Sequence, residues 1–169
     1  MKQVEFENLY QAYLTPVYRY CYVRLGSKEA AEDVAQVVFE KVWKAKEGYR
    51  NQGKTPLAYL FTIARNTIID RLRRTEAIPM DPQTPAFLIA EDDTHDPRSD
   101  SHRREAAEIV YRGLGKLAEE PREVLVLRYI AELSYEDISL LLGKTQEAIR
   151  QIVSRGLKEL RNYITPNHD

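Results

Sequence analysis

The chain has 169 residues, with 25 Lys and Arg against 26 Asp and Glu and a formal net charge of −1, long enough for one domain or two small helical ones. A single cysteine, Cys21, excludes an internal disulfide framework and any cysteine-based zinc site. No apolar run approaches the ~20 residues that span a bilayer, and the opening MKQVEFENLY lacks a signal-peptide apolar core, so a soluble cytoplasmic protein is expected.

Glycines number only 7, and the apolar residues recur at helical rather than alternating spacing, which predicts an all-α fold. The near-zero net charge hides an uneven distribution. Residues 1–48 carry seven basic and seven acidic side chains. Residues 49–74 carry Arg50, Lys54, Arg65, Arg71, Arg73 and Arg74 against Asp70, a local +5. Residues 76–102 carry only Arg98 against Glu76, Asp81, Glu91, Asp92, Asp93, Asp96 and Asp100, a local −6. Charge runs are commonly just solvated faces, but a basic stretch abutting an acidic one is harder to read that way.

In chain order, a Tyr-rich helix is predicted from about Val4 to Leu25, ending at Gly26 as a C-terminal cap. A second starts at Ser27 and runs to about Glu47. Its buried stripe is Ala30, Val34, Val37/Val38, Val42 and Ala45, widened by Phe39 and Trp43, and its polar edge is Asp33, Gln36, Glu40 and Lys44. A third starts near Pro56, where proline suits the first turn. It buries Leu57, Leu60/Phe61, Ala64, Ile68 and Leu72, and its other side presents Tyr59, Thr62, Arg65, Asn66, Asp70 and Arg73. An Asn and several Arg on an exposed helical face suit phosphates and unpaired bases.

From Pro79 to Arg98 four prolines and five acids leave no helical period, which reads as a linker. Its short run Phe87 to Ile89 is too apolar for a pure spacer. Beyond it, helices are expected from about His102 to Leu117 and from Pro121 to Ala131. Then LSYEDISLLLGKTQEAIRQIVSRGLKELR, Leu133 to Arg161, reads as two helices around a glycine turn. Ser134 and Thr145 are N-caps, Asp137 stands where a capping box has Glu, and Gly143 makes the turn. Ile138, Leu141, Leu142, Ile149, Ile152/Val153, Leu157, Leu160 and Ile164 face inward. Gln146, Arg150, Gln151, Ser154, Arg155, Lys158 and Arg161 stay outside. That is how a helix-turn-helix presents a helix to the DNA major groove, where Arg and Gln can contact guanine and adenine bidentately. An amphipathic hairpin with a solvated face would show the same pattern. His95, His102 and His168 are scattered, so no catalytic constellation, metal site or cofactor is expected.

The motifs together resemble the bacterial extracytoplasmic-function sigma factors, the RNA polymerase subunits that recognise promoters. AEDVAQVVFEKVWKA is similar to the family's polymerase-binding helix, and PLAYLFTIARNTIIDRLRR to its promoter-melting, minus-ten helix. The stretch from LAEEPREVL to SRGLKEL resembles its minus-thirty-five domain. The resemblance implies a region 2 domain over 1–75, a linker over 76–103 and a region 4 helix-turn-helix domain over 104–169. It implies that Asp33, Gln36, Phe39, Glu40 and Trp43 bind the clamp helices of the largest catalytic subunit, the other large subunit's flap taking the C-terminal domain. Tyr49, Lys54, Arg65, Asn66, Arg71, Arg73 and Arg74 would serve the minus-ten element, and Gln146, Arg150, Gln151, Ser154, Arg155 and Lys158 the minus-thirty-five element. Promoter DNA, core polymerase and an anti-sigma factor are the implied partners, without membrane insertion. Three positions depart from the pattern: Val37 replaces an acid, Ile152 and Leu157 stand where Arg is frequent, and Glu132 replaces a turn glycine. A polymerase-independent two-domain DNA-binding regulator would share the C-terminal half, but would give no reason for the Asp33/Gln36 face or the Arg65/Asn66 helix.

Overall fold

A computed structural model describes residues 2–45, 55–74, Pro85, Leu88 and 96–165. Among them the regular structure is helical. The helices are α1 (Gln3–Leu25), α2 (Lys28–Lys44), α3 (Pro56–Arg74), α4 (Pro97–Lys116), α5 (Glu119–Leu125), α6 (Tyr135–Leu142) and α7 (Gln146–Ile164). A π turn over Val126–Ile130 continues α5.

The boundaries follow from local chemistry. Gly26 ends α1 at φ 68°, its N–H donating to the Tyr22 carbonyl, and the next residue, Ser27, caps α2 by accepting from the Ala30 N–H. A left-handed glycine followed at once by an extended N-cap turns the chain back within two residues. α1 runs through Pro16, whose missing N–H deprives the Ala12 carbonyl of its helical donor. Thr55 accepts from the Ala58 N–H at 3.1 Å and starts α3.

Three positions differ from the sequence expectation. α4 begins at Pro97, not near His102, because Asp96 caps it by accepting from the Arg98 N–H, so residues 97–103 are helix rather than linker. Leu72 and Val37 are exposed: Leu72 lies on the last turn of α3, and Val37 lies one position off the buried stripe that Val34 and Val38 define. Of the apolar run in the linker, Leu88 is half-buried, and Phe87 and Ile89 lie outside the described residues; Pro85, two residues before the run, is buried.

α1, α2 and α3 pack on one another around Val17, Tyr20, Cys21, Val34, Val38, Leu60, Phe61, Ala64 and Ile68. α4 and α6 pack on α7, and α5 packs on α7, around Leu114, Val124, Leu125, Leu127, Ile138, Ile149, Val153 and Leu160. The two halves touch. α6 lies on α3 and the π turn lies on α1, so the buried apolar residues form one continuous cluster.

Candidate nucleic-acid interface

The C-terminal helix pair, α6 and α7, is built from its caps. Ser134 Oγ accepts from the Asp137 N–H at 3.0 Å and donates to Asp137 Oδ2 at 2.7 Å. α6 ends at Gly143, φ 66°, a backbone conformation that an L side chain resists. Thr145 Oγ1 accepts from the Ala148 N–H at 3.1 Å and opens α7. Ile149, Val153, Gly156 and Leu160 are the buried side of α7. At Gly156 a Cβ would stand 3.3 Å from Leu125 Cδ1, so α5 and α7 approach closely there. Ile152, Leu157 and Ile164 are half-buried beside that seam.

The opposite side of α7 is open. Gln146, Arg150, Gln151, Ser154, Arg155 and Lys158 are all exposed. Arg150 is not left to wander: its guanidinium lies over the Tyr135 ring, 4.9 Å from the centroid, and Arg128 lies over the same ring at 4.7 Å. A cation over an aromatic face gains about 0.5–1 kcal/mol at an exposed site. Tyr135 therefore orients the guanidinium that the sequence singled out, from the first turn of the preceding helix.

On α3, Ala58, Leu60, Phe61, Ala64, Thr67 and Ile68 are buried, and Asn66, Asp70, Arg73 and Arg74 are exposed. Arg65 and Arg71 are half-buried and already paired. Arg71 meets Asp33 of α2 at 3.7 Å, and Arg65 Nε donates to Glu123 Oε1 of α5 at 2.7 Å. Tyr49 and Lys54 lie outside the described residues.

On α2, Asp33, Gln36 and Glu40 are exposed, and Gln36 Nε2 donates to Glu40 Oε1 at 3.1 Å. Phe39 is only 3% exposed and packs edge-on to Tyr10, with centroids 4.9 Å apart. Trp43 is half-buried against Phe6 at 4.8 Å. Between α1 and α2 runs an open groove of about 980 Å³, lined among others by Phe6, Tyr10, Gln36, Phe39, Glu40 and Trp43. Phe39 and Trp43 thus shape the groove, and the polar residues rim it.

Sequence reasoning missed three participants: Glu123, Tyr135 and Gly156. Gly156 carried a readable signal, falling at helical spacing between Val153 and Leu160. Glu123 carried none, because acids are ordinary in the first turns of a helix.

A helical bundle bearing a half-basic helix, joined to a helix-turn-helix bundle with an exposed Arg/Gln/Lys row, defines a two-module DNA-binding protein. Residues 9–78 match the family described as Sigma-70 region 2, and residues 113–162 match Sigma-70, region 4. The chain is 32% identical over 159 residues to the ECF RNA polymerase sigma factor SigD of Mycobacterium tuberculosis, covering 90% of this chain and 74% of that protein. It is 27% identical to the ECF RNA polymerase sigma factor BldN of Streptomyces coelicolor, covering 94% of this chain and 60% of that longer protein. The fold is similar to that of the sigma factor RpoE, solved in complex with the anti-sigma factor NepR from Bartonella quintana. There the TM-score is 0.69 at 20% identity, covering 97% of this chain and 99% of that one. The chain belongs to the ECF RNA polymerase sigma factors of the sigma-70 family.

Proposed function

We propose that the protein is an alternative sigma factor that joins core RNA polymerase in the cytoplasm and directs it to a specific set of promoters. It is a binding subunit and carries out no chemistry of its own. The observation that supports this best is the exposed row on α7, held in reading position by two side-chain caps, a left-handed glycine turn and the Tyr135 ring.

In this reading residues 104–169 take the minus-thirty-five element in duplex form and contact the polymerase flap. Arg150 and Gln151, in the first half of α7, reach base edges, and Arg155 and Lys158 reach phosphates. Residues 1–75 bind the clamp helices through Asp33, Gln36 and Glu40 at the rim of the groove that Phe39 and Trp43 shape. They hold the melted minus-ten strand with Asn66, Arg65, Arg71, Arg73 and Arg74, joined by Tyr49 and Lys54. Flipping a base out of the stack costs a few kcal/mol, which a pocket of stacking and hydrogen-bonding groups offsets. The connecting stretch 76–103 ends on the first turns of α4. An anti-sigma factor is the expected regulator.

Transcription in vitro with purified core polymerase on genomic fragments tests the whole assignment. Discrete promoter-initiated transcripts that require the chain are expected. Duplex binding without co-purification with core polymerase would instead make the protein a polymerase-independent regulator.

A further inference from the structure

The polar row of α2 proposed to bind polymerase, Asp33, Gln36 and Glu40, does not include the exposed Lys41. Lys41 stands beside that row, on the side of α2 that packs on α3, and its Nζ donates to Thr67 Oγ1 of α3 at 3.1 Å. The nearby acids of its own helix are occupied elsewhere: Asp33 meets Arg71, and Glu40 accepts from Gln36. Among the described residues the Lys41 ammonium therefore makes a hydrogen bond to a neutral hydroxyl and no ion pair. Thr67 does not require it, because its hydroxyl already donates to the Ile63 carbonyl at 2.8 Å. Of the three donors on the ammonium, that contact uses one.

Thr67, Arg71 and Arg74 follow one another on α3 at i, i+4 and i+7, which is one stripe of the helix. Lys41 thus heads a basic row that crosses from α2 and runs about 10 Å along α3. Its neighbouring acids are Asp33 and Asp70, two against the four bases Lys41, Arg71, Arg73 and Arg74, so the row keeps a net +2. Asn66, the group proposed to take a flipped base, adjoins Thr67 in the chain and is exposed. Proteins that hold a single strand combine groups for the bases with a cationic track for the backbone. An ammonium is a compact point charge on a flexible stem, suited to a phosphate whose position is not rigidly fixed.

We propose that Lys41 is a phosphate contact for the melted minus-ten strand, supplied by the helix otherwise given to polymerase. This rests on the reading of α3 as the helix that holds that strand.

The test uses the full chain assembled with core polymerase. The probe is a promoter fragment from which this holoenzyme initiates, its minus-ten region left as a mismatched bubble. Lys41→Met keeps the apolar stem and removes the charge, Lys41→Arg keeps the charge, and Thr67→Val removes the hydroxyl and leaves the ammonium. Each phosphate contact to a single strand contributes about 0.7 to the salt slope. Between about 50 and about 200 mM salt, Lys41→Met should therefore lose about 2.6-fold less affinity than wild type, from a weaker start. Lys41→Arg and Thr67→Val should keep the wild-type slope, and all three should bind core polymerase as wild type does. A slope unchanged by Lys41→Met, or reduced equally by Thr67→Val, would overturn the contact. So would weakened core binding with an unaltered slope, which assigns Lys41 to the polymerase row. The same change in slope on a paired duplex kept too cold to open would place the contact on duplex DNA and overturn it too. Arg74→Ala separates the proposal from the reading beneath it. If Arg74→Ala lowers the slope and Lys41→Met does not, Lys41 alone is excluded; if neither does, α3 does not hold the strand and both fall.

Discussion

Glu132 is the one described residue other than glycine with a positive φ, at 59°. It closes the π turn, where the Ala131 N–H reaches back to the Val126 carbonyl and the Leu133 N–H to that of Leu127. Left-handed backbone costs an L residue roughly 1–2 kcal/mol, and glycine returns roughly 0.5–1 kcal/mol of that through unfolded-state entropy. Glu132→Gly should therefore raise stability by up to about 1 kcal/mol, seen as a thermal midpoint higher by a few degrees. An unchanged or lower midpoint would mean that the turn carries no such strain. Cys21 gives a second prediction. Burial pushes its thiol up from 9.0 to about 12, and burial also raises the neighbouring Tyr20 hydroxyl, whose proton Glu123 further favours. A folded pKa above the unfolded one stabilises fully below the unfolded value and is lost as pH climbs toward the folded one. Resistance to urea should accordingly fall between pH 9 and 12. Cys21→Ala, weaker at neutral pH through the lost sulfur packing, should flatten that fall, and an equally steep fall would acquit the thiol. Caps and turns such as Gly26, Ser27, Ser134, Gly143 and Thr145 were legible in the sequence because their chemistry closes within three or four residues. Glu123 was not, because Tyr20 stands 103 positions away.

At the level of the elements, periodicity located all the long helices, and it failed where something other than period decides. The start of α4 is fixed by an Asp-Pro pair, a local signal that the surrounding acidic, proline-rich composition obscured. The π turn inserts extra backbone into a continuous apolar run, from Val124 to Leu127, that an unbroken helix would satisfy equally well. On α7 the buried side was expected from Ile149, Val153 and Leu160. The close approach to α5 comes from Gly156, which lacks the Cβ that would otherwise hold the helices apart. The link between α6 and α7 was illegible because it is a ring under a guanidinium rather than a motif. Tyr135→Ala should loosen Arg150 and weaken discrimination at the promoter position it reads by about 1 kcal/mol, and Tyr135→Phe should restore it. Lys158→Ala should instead weaken binding to all sequences alike and lower the salt slope by about one. Duplex titrations at several salt concentrations separate the two. Sequence selectivity indifferent to Tyr135→Ala would remove the ring from the reading apparatus.

For the whole molecule, the division into two halves was readable from the acidic, proline-rich stretch between them, and their mutual contact was not. Neither half alone shows an incomplete surface in its sequence pattern. The two exposed sets proposed to face DNA should respond differently to substitution. Asn66→Ala should leave the initial duplex complex nearly intact and reduce strand opening, measured as lost permanganate reactivity of minus-ten thymines. Weak binding with normal melting would mean that α3 grips duplex DNA.

Trp43 is the sole tryptophan of the chain, and it lies against Phe6 in the N-terminal half. Its fluorescence therefore follows the melting of α1–α3 alone, while far-ultraviolet dichroism follows every helix. Because the buried apolar residues run unbroken through both halves, the wild-type chain should unfold as one cooperative unit. The two optical transitions should then coincide in denaturant. Two curves already separate in the wild type would mean that the halves melt independently even while they touch.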